Sequence, residues 1–237
     1  MKRIVIVPAF DEEGAIGGVI EEIRAFDPAF DVVVVDDASR DATAEVARRN
    51  GATVISLPFN LGIGGAVQTG FRYADKHGYG LAARIDGDGQ HDPCELQPLI
   101  DAVVGGHADI CVGSRFVEAE GFRSSRSRRV GIRILAGTVS LLTRQRVTDT
   151  TSGFQVLNRR AIELFSADYP HDYPEVEAAL MLHKHRLRLV EVPVRMRERV
   201  AGRSSIRGLR TVYYMAKVML AILIGALRRR ATPLEDS

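Results

Sequence analysis

Four consecutive valines, Val32 to Val35, run straight into a pair of aspartates, Asp36 and Asp37. A strand with one wet face alternates apolar and polar residues. A continuous β-branched run belongs instead to a strand covered on both faces, as in parallel sheets sandwiched by helices. The surrounding sequence repeats this theme. Residues 3–7, 31–35, 53–56, 81–85 and 109–112 read as strands, with helical patterns near 14–26, 41–50, 63–77 and 93–105 between them. Such alternation builds βαβ units, so the expected class is α/β, a mostly parallel central sheet flanked by helices. Asp41 is the expected N-cap of the second helix and Gly51 its C′ residue.

Beyond residue 115 the rhythm changes. Glycine, serine and arginine dominate 113–131. A helix is expected near 130–143, a loop at 147–153, short helices to about 185, a strand near 187–194 and a long helix from about 206 to 230. With 237 residues, 46% hydrophobic and 26% charged, the chain can bury a full globular core. Its formal net charge of +2 gives no global pull toward nucleic acid. The charge is unevenly spread, however: residues 195–230 hold ten Lys/Arg against one Glu. Two cysteines, Cys94 and Cys111, make no disulfide framework and suit a reducing compartment. No stretch of 18 uncharged apolar residues marks a membrane span.

The chemistry gathers where strands end. The fourth strand runs into Asp86-Gly87-Asp88-Gly89-Gln90, two carboxylates one residue apart between glycines. Hard oxygen donors of this kind suit Mg²⁺ or Mn²⁺ held jointly with substrate phosphates. The second strand delivers Asp36 and Asp37, and the first ends in Pro8-Ala9-Phe10-Asp11-Glu12-Glu13. Three strand ends thus bring acids to one sheet edge, the edge where open α/β sheets bind ligands. A dinucleotide-binding turn would need G-x-G-x-x-G after the first strand, and acids there exclude it. Asn60-Leu61-Gly62-Ile63-Gly64-Gly65 lacks the G-K-[ST] ending of a phosphate loop, so its glycines read as packing devices. Gly113-Ser114-Arg115 adds a cation with a planar fork suited to phosphate, and Arg123–Arg129 adds more on a basic loop. His91 reads as a loop histidine without a metal, and no Cys/His spacing suggests zinc.

The set Pro8–Glu12, Val35–Asp41, Asn60–Gly62, Asp86–Pro93, Gly113–Arg115 and Thr151–Phe154 resembles family-2 glycosyltransferases. It is most similar to the branch related to dolichyl-phosphate mannosyltransferase. The resemblance implies a GT-A fold, a nucleotide-diphosphate-sugar donor, Mg²⁺ or Mn²⁺, and inversion at the anomeric carbon. It implies donor binding by Pro8, Phe10, Glu12, Val35, Asp37 and Asp86. It implies metal ligation by Asp88 and Gln90 with Asp86, and catalytic roles for Asp88, Arg115 and Arg199. Arg128, Arg129 and Arg203 would meet an acceptor phosphate. Two departures stand out: the family's usual tyrosine is Phe10, and the stretch Arg199–Ser205 ends in serine where a lysine is common.

A lipid phosphate is already anionic near neutral pH, its second pKa being about 6, so such an acceptor needs no general base. A hydroxyl acceptor on a glycan would need one, and Asp149 is then the candidate. A sugar nucleotidyltransferase would carry a basic glycine-rich first turn, and a non-catalytic sugar-nucleotide binder would lack the metal acids. The expected division is a catalytic domain over 1–207, an amphipathic helix over 208–230 and a tail over 231–237. The helix has tyrosines at its start and Arg228-Arg229-Arg230 at its end, a pattern for an anionic lipid surface. The expected location is therefore cytoplasmic and peripheral, at the inner face of the cell membrane, with homo-oligomerisation left open and no nucleic-acid partner.

Overall fold

The structure, a computed structural model, describes residues 1–115, 137–138, 140–141, 147–149, 152–170 and 174–197. Among them a seven-stranded sheet runs in the order β3-β2-β1-β4-β6-β5-β7. Its strands are β1 (Arg3–Ala9), β2 (Phe30–Asp36), β3 (Thr53–Ser56), β4 (Leu81–Arg84), β5 (Ile110–Ser114), β6 (Gln155–Asn158) and β7 (Leu189–Pro193). Helices α1 (Ile16–Phe26), α2 (Thr43–Arg49), α3 (Gly62–Lys76), α4 (Leu96–Val104), α5 (Arg159–Ala167) and α6 (Pro174–Lys184) accompany it. Pairing is parallel between β1 and β2, β2 and β3, β1 and β4, and β5 and β7. Only β6 is reversed, antiparallel to β4 on one side and β5 on the other.

The unbroken valine run has the cause expected of it. Val32 and Val34 face a core shared with Ile16, Ile20, Ile23 and Leu99, while Val33 and Val35 face a second core with Val67, Phe71 and Phe165. Ile4 and Ile6 divide from Val5 and Val7 in the same way. Helices α1 and α4 thus cover one face, and α3 and α5 the other. Each buried aliphatic side chain contributes about 1.5–3 kcal/mol relative to exposure.

Several boundaries move. Strands β1 and β2 run two and one residues further toward the ligand edge than apolarity alone predicts, to Ala9 and Asp36. β5 begins at Ile110, because the Asp109 carboxylate accepts from the Arg188 N–H and the Asn158 amide, both at 2.8 Å. Helix α2 starts at Thr43, with Asp41 two residues earlier accepting from the Thr43 N–H at 2.9 Å, so it caps from before the N-cap position. Gly51 does sit past the helix end with φ +79°. The expectation of short helices after 153 misses β6, a four-residue strand whose Asn158 then caps α5 by accepting from the Ala161 N–H at 3.1 Å. The expected helix over 130–143 falls mostly outside the described residues, of which 137–138 and 140–141 are helical. The 123–129 loop and the 208–230 helix lie outside them entirely. Among the described residues no helix is long and apolar enough to cross a membrane.

Candidate active site

From β1 the chain steps outward through β2 to β3, then α3 carries it back across the sheet to β4 on the far side of β1. The reversal makes a switch point between β1 and β4, where the loops diverge and leave a crevice. A cleft of about 720 Å³ opens there. Its walls are Pro8–Glu12 at the end of β1 and just beyond it, Asp37 after β2, Asp86–Asp88 after β4, and Asn60, Gly62 and Ile63 at the start of α3. The convergence of three acid-bearing strand ends is thus present in the fold. Phe10 stands 41% exposed at the rim. Val35 departs from expectation: its side chain is fully buried in the core beside α3 and does not line the cleft.

The first two loops are laced together. Asp11 N–H donates to Ser39 Oγ at 3.0 Å, Glu12 N–H to Thr43 Oγ1 at 2.8 Å, and Glu13 N–H to Asp41 Oδ2 at 3.1 Å. In return Arg40 N–H donates to Asp11 Oδ1 at 2.8 Å and Ala42 N–H to Glu13 Oε2 at 2.9 Å. Asp11 and Ala38 adopt positive φ, 54° and 61°, to make this possible. Asp11 and Glu13 are therefore structural partners of the second loop; Asp11, Glu12 and Asp37 are the acids that line this side of the cleft. Asp37 Oδ1 accepts the Leu61 N–H at 2.7 Å, at the start of α3. Burial raises the Asp37 carboxyl above its ordinary pKa, against the lowering effect of the Leu61 and Gly62 N–H groups.

Around the fourth strand's end the electrostatics are more developed. Arg84, 1% exposed, donates through Nε and Nη2 to Asp86 Oδ1 at 3.3 and 3.2 Å, while the Asp86 side chain is 32% exposed toward the cleft. Burial pushes the Asp86 carboxyl up, but Arg84, with His91 and Arg115, more than offsets it and holds the pKa below the ordinary value. His91 is not a surface loop residue. It is buried against Phe154, and its Nδ1 accepts the Asp86 N–H at 3.1 Å, which places the ring proton on Nε2. Burial keeps this imidazole below its ordinary pKa despite Asp86 and Asp88. Asp88 is buried at the cleft and accepts the Gln90 N–H at 3.1 Å. Gln90 lies one turn further, its carbonyl accepting the Arg197 N–H at 2.9 Å. Among the described residues no group of three His, Cys, Asp or Glu stands ready around a single point. Two carboxylates and an amide on one short loop still fit Mg²⁺ or Mn²⁺, which keep waters and substrate oxygens in their shells.

Arg115 follows β5 and sits against Asp149. Asp149 Oδ2 accepts the Arg115 N–H at 3.2 Å and Nε at 2.7 Å, and Oδ1 accepts Nη2 at 2.9 Å. The Asp149 side chain has no exposure. A carboxylate so held is no general base, which removes the role considered for it with a hydroxyl acceptor. Sequence reasoning missed Arg84, the burial of His91, and the Glu191 carboxylate that holds residues 148–149. Arg84 had a signal, a charge inside an otherwise apolar strand. Arg128, Arg129, Arg199 and Arg203 lie outside the described residues.

Comparison with known proteins agrees in direction. The family model described as glycosyl transferase family 2 matches residues 4–165. The chain is 30% identical over 220 residues to the undecaprenyl-phosphate mannosyltransferase of Micrococcus luteus, covering 88% of each chain. It is 29% identical over 217 residues to the polyprenol monophosphomannose synthase of Mycolicibacterium smegmatis, covering 87% of this chain and 82% of that one. Among solved structures, glucosyl-3-phosphoglycerate synthase from Mycobacterium tuberculosis, crystallised with Mn²⁺, UDP and phosphoglyceric acid, aligns with a TM-score of 0.70 at 20% identity. That alignment covers 96% of this chain and 79% of the other.

Proposed function

Because the chain belongs to glycosyl transferase family 2 and has the GT-A fold, we propose that this glycosyltransferase moves a hexose from a nucleoside-diphosphate sugar to a polyprenyl phosphate. The observation that carries the reading is the cleft itself. Glu12 and Asp37 line one side of it and Asp86 and Asp88 the other, within one volume suited to a nucleotide sugar. Relatives with names specifying polyprenol and undecaprenyl-phosphate acceptors match along nearly the whole chain.

In this reading Phe10 stacks on the nucleobase and Asp37 accepts from its N–H groups. Asp88 and Gln90, with Asp86, hold a divalent cation, which when bound neutralises charge on the departing diphosphate. Arg84 and His91 keep Asp86 ionised and aimed: the guanidinium stabilises its charge, and the imidazole fixes its backbone. Arg115 is proposed to offer guanidinium donors to phosphate oxygens, and Arg199 to join it. The acceptor phosphate attacks as an anion, so the reaction needs no side chain to take a proton. Transfer to a glycan hydroxyl is disfavoured by the same geometry, since Asp149 has both oxygens bonded to Arg115.

The test is to incubate the full chain with Mn²⁺, GDP-mannose or UDP-glucose, and undecaprenyl phosphate, and to follow label into the organic phase. Label in the lipid fraction, lost by a hundredfold or more (about 3 kcal/mol of transition-state stabilisation) in Asp88→Asn, is the expected result. Transfer that proceeds unchanged in Asp88→Asn, or only to glycan hydroxyls, overturns the reading.

A further inference from the structure

Glu191 lies on β7, in register with Val112 of β5, and β5 leads through Ser114 directly to Arg115. Residues 148–149 are held against this pair of strands. Glu191 accepts the Thr148 N–H with both oxygens, at 2.9 and 2.8 Å, the Thr148 hydroxyl at 2.6 Å and the Asp149 N–H at 2.9 Å. Thr148 Oγ1 also meets Ser114 Oγ at 2.8 Å. Asp149, thus fixed in backbone, receives the Nε and Nη2 edge of Arg115 with its two oxygens. A planar guanidinium held by a fork of two bonds has its plane and its remaining Nη1 direction defined.

We propose that Glu191 is a positioning residue, which sets the orientation of the Arg115 guanidinium through Thr148 and Asp149. Four hydrogen bonds to one carboxylate are more than a strand needs for pairing, which β7 already obtains from five backbone register pairs with β5. The Glu191 carboxylate is stabilised by N–H and O–H donors and leaves the ion pair with Arg115 to Asp149. Buried networks of this sort act as units, since loosening one member loosens all. The inference rests on the reading that Arg115 contacts the leaving diphosphate.

The experiment is a double-mutant cycle on the full chain: wild type, Glu191→Gln, Arg115→Lys and the double variant. Affinity for GDP and UDP is measured by calorimetry with Mn²⁺, and transfer to undecaprenyl phosphate by steady-state kinetics. Glu191→Gln puts an amide N–H against N–H donors. It is expected to lower kcat by about tenfold to a hundredfold, as misplacing a catalytic group does, with the nucleotide-sugar KM moving less than about threefold. The double variant is expected to be no worse than Arg115→Lys alone. Thr148→Ser, which keeps the hydroxyl, should retain the wild-type rate, and Thr148→Val should share the Glu191→Gln loss. These two read the relay even if Glu191→Gln folds poorly. Additive losses in the cycle, or a wild-type rate in Thr148→Val, overturn the proposal. A wild type that binds Mn²⁺ with GDP or UDP yet transfers nothing to the lipid overturns the acceptor reading instead. In that case the cycle is read from GDP and UDP affinity, which Arg115 serves as a contact of the leaving diphosphate: Glu191→Gln losses that do not add to those of Arg115→Lys uphold the role of Glu191, and unchanged affinity or additive losses overturn it.

Discussion

Gly153 shows how little room the site leaves. A Cβ there would lie 2.6 Å from Asp86 Oδ2 and 2.7 Å from Arg84 Nη2. The backbone of this loop is pressed onto the buried ion pair, and only a hydrogen fits between. Gly153→Ala should push the pair apart and cost about 1–3 kcal/mol of stability, as overpacking does. Activity should fall with it, because Asp86 loses the partner that keeps it ionised. Denaturant unfolding and a transfer assay on the same preparation check both effects. Ala38 is the opposite case. It holds φ +61° between the Asp37 and Ser39 backbones, a conformation that strains an L-residue by about 1–2 kcal/mol. Ala38→Gly should relieve the strain and raise the unfolding free energy by a net of about 0.5–1 kcal/mol, read as a higher unfolding midpoint, after the entropy glycine loses on folding. An unchanged or lowered midpoint would contradict that account.

Elements inherit these constraints through their loops. The clasp between the β1–α1 and β2–α2 loops centres on Asp41, which receives the Thr43 hydroxyl, the Thr43 N–H and the Glu13 N–H. Burial pushes the Asp41 carboxyl up, but these donors outweigh it and the pKa falls below the ordinary value of 3.8. A depressed carboxyl contributes stability that is complete above its unfolded pKa and lost as pH falls through the folded one. Asp41→Asn, which turns a charged acceptor of these donors into a neutral amide, should therefore cost about 1 kcal/mol at pH 7. The gap to wild type should close as the pH is taken below 4, and a gap that stays constant through that range would refute the assignment. The same elements show what was legible in the chain. Strands buried on both faces announced themselves as apolar runs, and the acids at their ends followed with no further information. β6 did not, because Gln155 to Asn158 is four residues long with polar ends. Its strand character comes from the open edges of β4 and β5 on either side. Nor could spacing show that Asp149 serves Arg115 rather than a substrate, since that depends on a contact across 34 positions.

At the scale of the whole molecule, the positive charge concentrates toward the C-terminal part of the sequence. Residues 195–230 hold ten Lys/Arg against one Glu, a balance of +9, so with a formal chain charge of +2 the remainder stands at −7. With the proposed polyprenyl phosphate as acceptor, an acid-rich body would be repelled by anionic headgroups, and attraction would have to come from elsewhere in the chain. The basic segment has the composition for it, and Arg228, Arg229 and Arg230 close an apolar run from Val218 to Leu227. Basic residues at an anionic leaflet are worth about 1 kcal/mol each. Replacing the three arginines with glutamine should thus weaken binding to vesicles containing anionic lipid by up to about 3 kcal/mol, near a hundredfold. The catalytic body should keep its affinity for Mn²⁺ and nucleoside diphosphate in solution. Raising the salt should mimic the substitution, since the Debye length shrinks from about 10 Å at 0.1 M to about 3 Å at 1 M. Sedimentation with phosphatidylglycerol vesicles that is insensitive to both changes would mean that the basic segment has a protein partner, within this chain or in a second copy.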